Sequence, residues 1–124
     1  MREILFRGKR LHSDNEWAYG SLIVGGEGST SIWSNDLADD VEVDPSTVGQ
    51  YTGMTDKNGV KIFEGDIISI PGSKKQGLPA EVYYFHMGGF FGLRRYGYSE
   101  IRLEDSNEWA VIVGNIHDNP ELLK

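Results

Sequence analysis

Residues 47–70 read TVGQYTGMTDKNGVKIFEGDIISI, and this stretch decides the fold. Residues 47–52 can extend. Asp56-Lys57-Asn58-Gly59 follows, and Asn58-Gly59 is the strongest short hairpin signal in the chain. Both positions tolerate the positive φ that a two-residue type I′ turn requires. Residues 60–63 read as the returning strand. Glu64-Gly65-Asp66 is a tight bend, in which the Asp66 carboxylate can accept from backbone N–H groups. Residues 67–70 form a buried strand, and Pro71-Gly72 stops it.

The flanks repeat this rhythm. Towards the N-terminus, residues 3–7 alternate partly, with Ile4 and Phe6 on one face, until Gly8 interrupts. His12-Ser13-Asp14-Asn15 is a polar turn. Residues 16–24 alternate again, with Trp17, Tyr19 and Ile23 on one side, so a hairpin is the simplest reading. Gly25-Gly26-Glu27-Gly28 opens a loop. Residues 32–43 leave two readings open. Trp33, Leu37 and Val41 at i, i+4 and i+8 suit a short helix capped by Ser34 or Asn35. The four Asp residues between 36 and 44 favour an irregular loop.

Towards the C-terminus, residues 73–79 are a polar loop. Residues 80–87 form an aromatic strand, with Val82 and Tyr84 on one face and Tyr83 and Phe85 on the other. Gly88-Gly89 turns it, residues 90–96 return, and residues 99–103 add another strand. Residues 108–116 are apolar on both faces and are expected to lie centrally. Asn119-Pro120 begins a closing helical turn, with Asn119 as cap and Pro120 at its first position. Asn-Glu-Trp-Ala occurs at 15–18 and again at 107–110, entering a strand after a polar turn each time.

The expected fold is therefore all-β: mainly antiparallel short strands in a barrel-like or strongly coiled sheet, with a short C-terminal helical turn. With 124 residues and 39% apolar side chains, the chain is expected to be one domain over residues 1–124. Two separate cores of about 60 residues would each be marginal.

Charge and composition narrow the function. The net charge is −7, which opposes tight binding to a phosphate backbone. Six acids (Glu27, Asp36, Asp39, Asp40, Glu42, Asp44) lie between residues 27 and 48 with no Lys or Arg among them. There is no cysteine, which excludes disulfides, thiolate metal sites and cysteine nucleophiles, and favours an intracellular home. The opening MREILFRGKR lacks the apolar stretch of about 7–15 residues that a signal peptide needs. No run approaches the roughly 20 apolar residues of a membrane span.

The motifs of catalysis do not assemble. His12, His86 and His117 have no metal-ligand spacing. Asp56-Lys57-Asn58-Gly59 begins like a calcium loop, but the twelfth position is Ile67 where a bidentate Glu is needed. No Gly-x-Ser-x-Gly elbow occurs, and the 25–28 glycines lack the Lys and helix of a phosphate loop. No catalytic residue, metal site or cofactor is assigned. One stretch, residues 89–96, interleaves rings with Arg94, Arg95 and Tyr96, as β-platforms that bind single-stranded nucleic acid do. Against this stands a core strand whose rings point inward and whose Arg pair faces water. Lys74-Lys75 could extend such a basic edge.

Three blocks carry a resemblance that spans almost the whole chain. They are Leu5-Phe6-Arg7-Gly8-Lys9 with Glu16-Trp17-Ala18-Tyr19-Gly20, then residues 47–70, then AVIVGNIHDNPELL at 110–123. In that order they resemble the YopX-like family of phage and prophage proteins from bacteria. The resemblance implies a β-rich phage protein in the bacterial cytoplasm, and it carries over no catalytic or binding residues. Physically the blocks read as scaffold: Asn58 and Gly59 for a turn, Gly65 for a bend, Trp17 and Trp109 for packing.

The leading functional expectation is a non-enzymatic binding or interaction module. Its partner would be a protein from host or phage, or a second copy of this chain, and no membrane is involved. A nucleic-acid-binding β domain using Arg94, Arg95 and Tyr96 is the alternative. An enzyme with a site built from scattered residues is a third reading, and mimicry of DNA by residues 36–44 a fourth.

Overall fold

The computed structural model describes residues 3–12, 16–70, 78–94, 101–106 and 108–123. The chain divides into two compact units, Met1–Tyr51 and Thr52–Lys124. The first contains β1 (Phe6–Lys9), β2 (Trp17–Val24), β3 (Thr30–Ser34), β4 (Asp39–Glu42) and the beginning of β5 (Gly49–Thr55). The second contains the end of β5, then β6 (Lys61–Phe63), β7 (Asp66–Ile70), β8 (Leu78–Phe85), β9 (Phe90–Arg94), β10 (Ile101–Arg102) and β11 (Ile112–Asn115). The fold is all-β and every pairing with a printed register is antiparallel.

In the first unit β4, β3, β2, β1 and β5 lie side by side in that order. The β1–β2 hairpin pairs Phe6 with Gly20 and Lys9 with Trp17, and its proposed turn at Ser13, Asp14 and Asn15 lies outside the described residues. Strand β1 runs straight through Gly8. The glycine does not interrupt it but makes room: a Cβ there would lie 2.9 Å from a Val43 methyl.

Residues 32–43 form neither a helix nor an irregular loop. They are the β3–β4 hairpin, with Ile32 opposite Val41 and Trp33 opposite Asp40. The burial period is two, not 3.6. Ile32, Ser34, Val41 and Val43 are buried, whereas Trp33, Asp40 and Glu42 face water. The turn between them is held by the Ser34 hydroxyl, which accepts from the Leu37 N–H at 3.3 Å. Asp36, Asp39, Asp40 and Glu42 are all exposed, so they keep their hydration. Ala18, Ile32, Val41 and Val43 make the core of this unit, with Phe6, Leu22 and Val48 against it.

A single bridge between Arg10 and Val43 draws the end of β1 beside the end of β4. The Leu11 N–H donates to the Glu42 carbonyl at 3.1 Å, and the Asp44 N–H to the Lys9 carbonyl at 2.8 Å. A single bridge is not a ladder, and the sheets do not close into the barrel that was one of the two expected forms.

In the second unit the end of β5 turns back into β6 through a three-residue loop. The Asp56 N–H donates to the Val60 carbonyl at 2.8 Å, and the Gly59 N–H to the Asp56 carbonyl at 2.9 Å. Gly59 has φ 83°, but Asn58 is not in the left-handed region. This is a type I turn followed by a glycine bulge, not the expected two-residue type I′ turn. The Asp56 side chain selects it, because one carboxylate oxygen accepts from the Asn58 N–H at 2.9 Å and the Val60 N–H at 3.0 Å.

At the next bend Gly65 has φ 90°, which favours glycine. The Asp66 carboxylate accepts from the Phe63 N–H at 2.8 Å. Strands β7 to β10 then form a meander, with β11 beside β7, in the order β10, β9, β8, β7, β11. Strand β11 is thus an edge strand, not the central one its apolar sequence suggests. A bulge between Ile112 and Gly114 leaves Val113 46% exposed. The apolar residues before it are used elsewhere: Ala110 is fully buried in the core, where it joins Ile62, Ile68, Ala80, Val82, Leu93 and Leu103.

The chain closes with a 3-10 turn, Pro120–Leu123, lying against β8. Asn119 uses its side-chain oxygen upstream of that turn, accepting from the Asn115 N–H at 3.2 Å.

Candidate functional site

Two sheet faces carry the side chains that could meet a partner, one in each unit. In the second unit the register places Glu81 opposite Arg94, Tyr83 opposite Gly92, and Phe85 opposite Phe90. Arg102 lies opposite Gly92 from the other side. Alternation sends Ala80, Val82 and Leu93 into the core and leaves these residues on the reverse face. The Arg94 guanidinium is 4.5 Å from the Tyr83 ring centroid, and it lies 3.3 Å from each Glu81 oxygen. Arg102 stacks 4.3 Å above Phe90 and reaches Glu104 at 3.5 Å. Phe85 and Phe90 are 5.1 Å apart.

This is a basic and aromatic platform, but its charges are matched within the chain. Exposed ion pairs of this kind contribute less than about 1 kcal/mol each, so they do not lock the arginines. What weakens phosphate binding is the pair of carboxylates, Glu81 and Glu104, beside the cations. Arg95, Tyr96, Lys74 and Lys75 lie outside the described residues.

In the first unit the outer face of the sheet carries Trp17, Tyr19, Ser21 and Ile23 from β2, and Ser31 and Trp33 from β3. Asp40 and Glu42 of β4 complete it. Trp33 is the centre of one cross-strand row, with Ser21 on one side and Asp40 on the other. It is 41% exposed, and Tyr19 and Ile23 nearby are similarly open. At the β1 side the Arg7 guanidinium lies 4.7 Å from the Trp17 ring, and Arg7 is buried.

The remaining candidates have structural surroundings. Trp109 packs against the core of the second unit. The His12 Nε2 lies 3.2 Å from a Glu42 oxygen on an open surface. His86 meets the Tyr84 ring edge-on at 5.1 Å. The His117 N–H donates to the Asn115 side chain at 3.0 Å. Among the described residues no group of three His, Asp or Glu side chains stands close enough to hold a metal ion. Among them, too, no helix is long and apolar enough to cross a membrane.

Sequence reasoning missed Asp56. It is 5% exposed, and its second oxygen accepts from the Ile112 N–H at 3.2 Å, across 56 residues. Burial pushes this carboxyl up. The N–H groups of Val60, Ile112 and Asn58, with the Lys57 charge, outweigh that and hold it below the usual carboxylate range. An Asp two residues before Asn58-Gly59 signals half of this arrangement. Nothing local signals the bond to Ile112.

Comparison with known proteins places the chain as follows. The family model described as YopX protein matches residues 6–124. The fold resembles the crystal structure of protein EF1440 from Enterococcus faecalis, with 22% identity, all of both chains covered and a TM-score of 0.64. At that identity the likeness shows the fold alone. No curated protein matches.

Proposed function

The chain belongs to the YopX family, and from that premise we propose that it is a phage or prophage protein acting as a non-enzymatic protein-binding module in the bacterial cytoplasm. The absence of cysteine among 124 residues fits a reducing compartment. The observation that carries the reading is the outer face of the first unit, where Tyr19, Ile23 and Trp33 stand exposed on one sheet. Ordered aromatic and aliphatic side chains on one face, rimmed by charge, are the composition of a protein-binding patch. A rigid sheet presents them without an ordering cost on association.

Nucleic-acid binding is the second reading, favoured by Arg94 and Arg102 over aromatic rings. It ranks below protein binding because Glu81 and Glu104 lie beside those arginines and the chain is net −7. The test is capture from bacterial lysate on immobilised full-length chain at gentle salt, with a charge-reversed variant as control. A protein retained by the wild type and not by the control is the expected result. Retention of nothing beyond the control, or of nucleic acid alone, contradicts the reading.

A further inference from the structure

We propose that the outer face of the first unit recognises an arginine in an extended segment of a partner protein, with Trp33 as the stacking surface and the Asp40 carboxylate as the counter-charge. This rests on the protein-binding reading and names the partner chemistry of that same face. The geometry starts from register. Trp33 and Asp40 are directly opposite on adjacent strands, so their side chains project from the same face about 5 Å apart at Cβ. Ring and carboxylate therefore flank one spot above the sheet.

The second unit shows what fills such a spot. There Arg94 lies over the Tyr83 ring and pairs with Glu81, and Arg102 lies over Phe90 and pairs with Glu104. In the first unit Arg7 covers Trp17. Trp33 and Asp40 bring a ring and a carboxylate together as well, here directly across two adjacent strands. Among the described residues no Lys or Arg stacks on Trp33 or pairs with Asp40. The described residues thus leave this ring and carboxylate open to a partner's cation.

Charge complementarity points the same way. Residues 1–51 hold four Lys or Arg against nine Asp or Glu, a net of −5, while residues 52–124 hold eight against ten, a net of −2. Asp36, Asp39, Asp40 and Glu42 all lie on the β3–β4 hairpin, and no basic residue occurs between 27 and 48. On the face itself Asp40 and Glu42 stand at the β4 side, while Arg7 and Lys9 stand at the β1 side opposite Tyr19 and Trp17, so a basic segment is drawn to the β4 side of the face. Arginine is favoured over lysine because its planar guanidinium stacks on indole while still donating to a carboxylate. Tyr19 and Ile23 offer apolar contact to the neighbouring residues of the segment.

The experiment follows the indole N–H signals of the three tryptophans in the isotope-labelled full chain. The probe is a blocked octapeptide of alternating Arg and Val, with Lys/Val and Glu/Val versions beside it. Saturable binding of the Arg peptide, with the Trp33 indole moving most, is expected. Trp33→Ala should weaken it about tenfold and Asp40→Asn about threefold, and the Lys peptide should bind more weakly. Asp40→Asn is near-isosteric and exposed, so it reports even if Trp33→Ala disturbs the sheet. Affinity unchanged in both variants, an unmoved Trp33 indole, or equal binding of the Glu peptide overturns the proposal. So does a doubled mass with Trp33 shifted before peptide is added, which would assign the face to a second copy. In the lysate experiment, equal capture of one protein by wild type and both variants rejects this face and keeps the module. Capture of nothing rejects the module.

Discussion

In the second unit Arg94 sits 4.5 Å from the Tyr83 ring beside Glu81, whereas in the first unit Trp33 and Asp40 face each other with no cation of the described chain between them. The same kinds of side chain do opposite work. In the second unit polar groups are turned onto the chain itself. Asp56 ties three backbone N–H groups and Asp66 ties a fourth. The first unit carries the larger charge imbalance, and Glu27, Asp36, Asp39, Asp40 and Glu42 are all exposed on it, whereas Asp44 caps a 3-10 turn by accepting from the Ser46 N–H. The difference teaches that a net charge of −7 is not spread evenly. It is concentrated on the unit with the open aromatic face, and that unit is the candidate for recognition.

The comparison can be broken or sharpened by substitution, starting where the effect is largest. Asp56→Ala leaves three backbone donors without their acceptor and should cost about 3–4 kcal/mol. Amide exchange in the second unit should quicken from Ile112 to Val60. If the amides of Ile32 and Val41 lose as much protection, the two units do not differ in the way described.

Gly59→Ala comes next. The residue sits at φ 83°, where a Cβ costs about 1–2 kcal/mol, and thermal unfolding should register the loss.

Acid gives a third, smaller effect. The folded-state carboxyl of Asp56 lies below its ordinary value near 3.8, so its stabilisation is fully present above that value and is lost as pH falls through the lower, folded one. Stability from this group should be flat between about pH 5 and 7 and should decline below about pH 4. Asp56→Asn should remove that part of the decline, which urea unfolding at several pH values would read.

Glu81→Gln is the smallest. It breaks an exposed pair and should change stability by less than about 1 kcal/mol. A larger loss would mean that the Arg94 contact is a structural tie and not a surface one.

How much of this was legible in the sequence depends on how local the cause is. The hairpin at Asn58 and Gly59 was legible because both residues advertise a turn. Its type was not, because the Asp56 side chain two residues earlier decides it. Residues 32–43 misled for a physical reason. Trp33, Leu37 and Val41 keep a helical spacing, while the pattern that wins places a small Ser34 inside and the large Trp33 outside. Strand β11 misled because its apolar residues divide between the core, through Ala110, and a bulged edge. On the functional side Arg94 was legible as a basic residue among rings, but its neutralisation by Glu81, thirteen residues away, follows only from register. Trp33 opposite Asp40 is likewise a fact of register: a helix would put the two on one face but about two turns apart, and only the hairpin sets them side by side.

The central claim is that recognition belongs to the face of the first unit. It is tested most directly by capturing partners from bacterial lysate with two paired variants, Trp33→Ala with Asp40→Asn, and Arg94→Ala with Arg102→Ala. The account predicts that the partner held by the wild type is lost by the first pair and kept by the second. Loss with the second pair and retention with the first would contradict it.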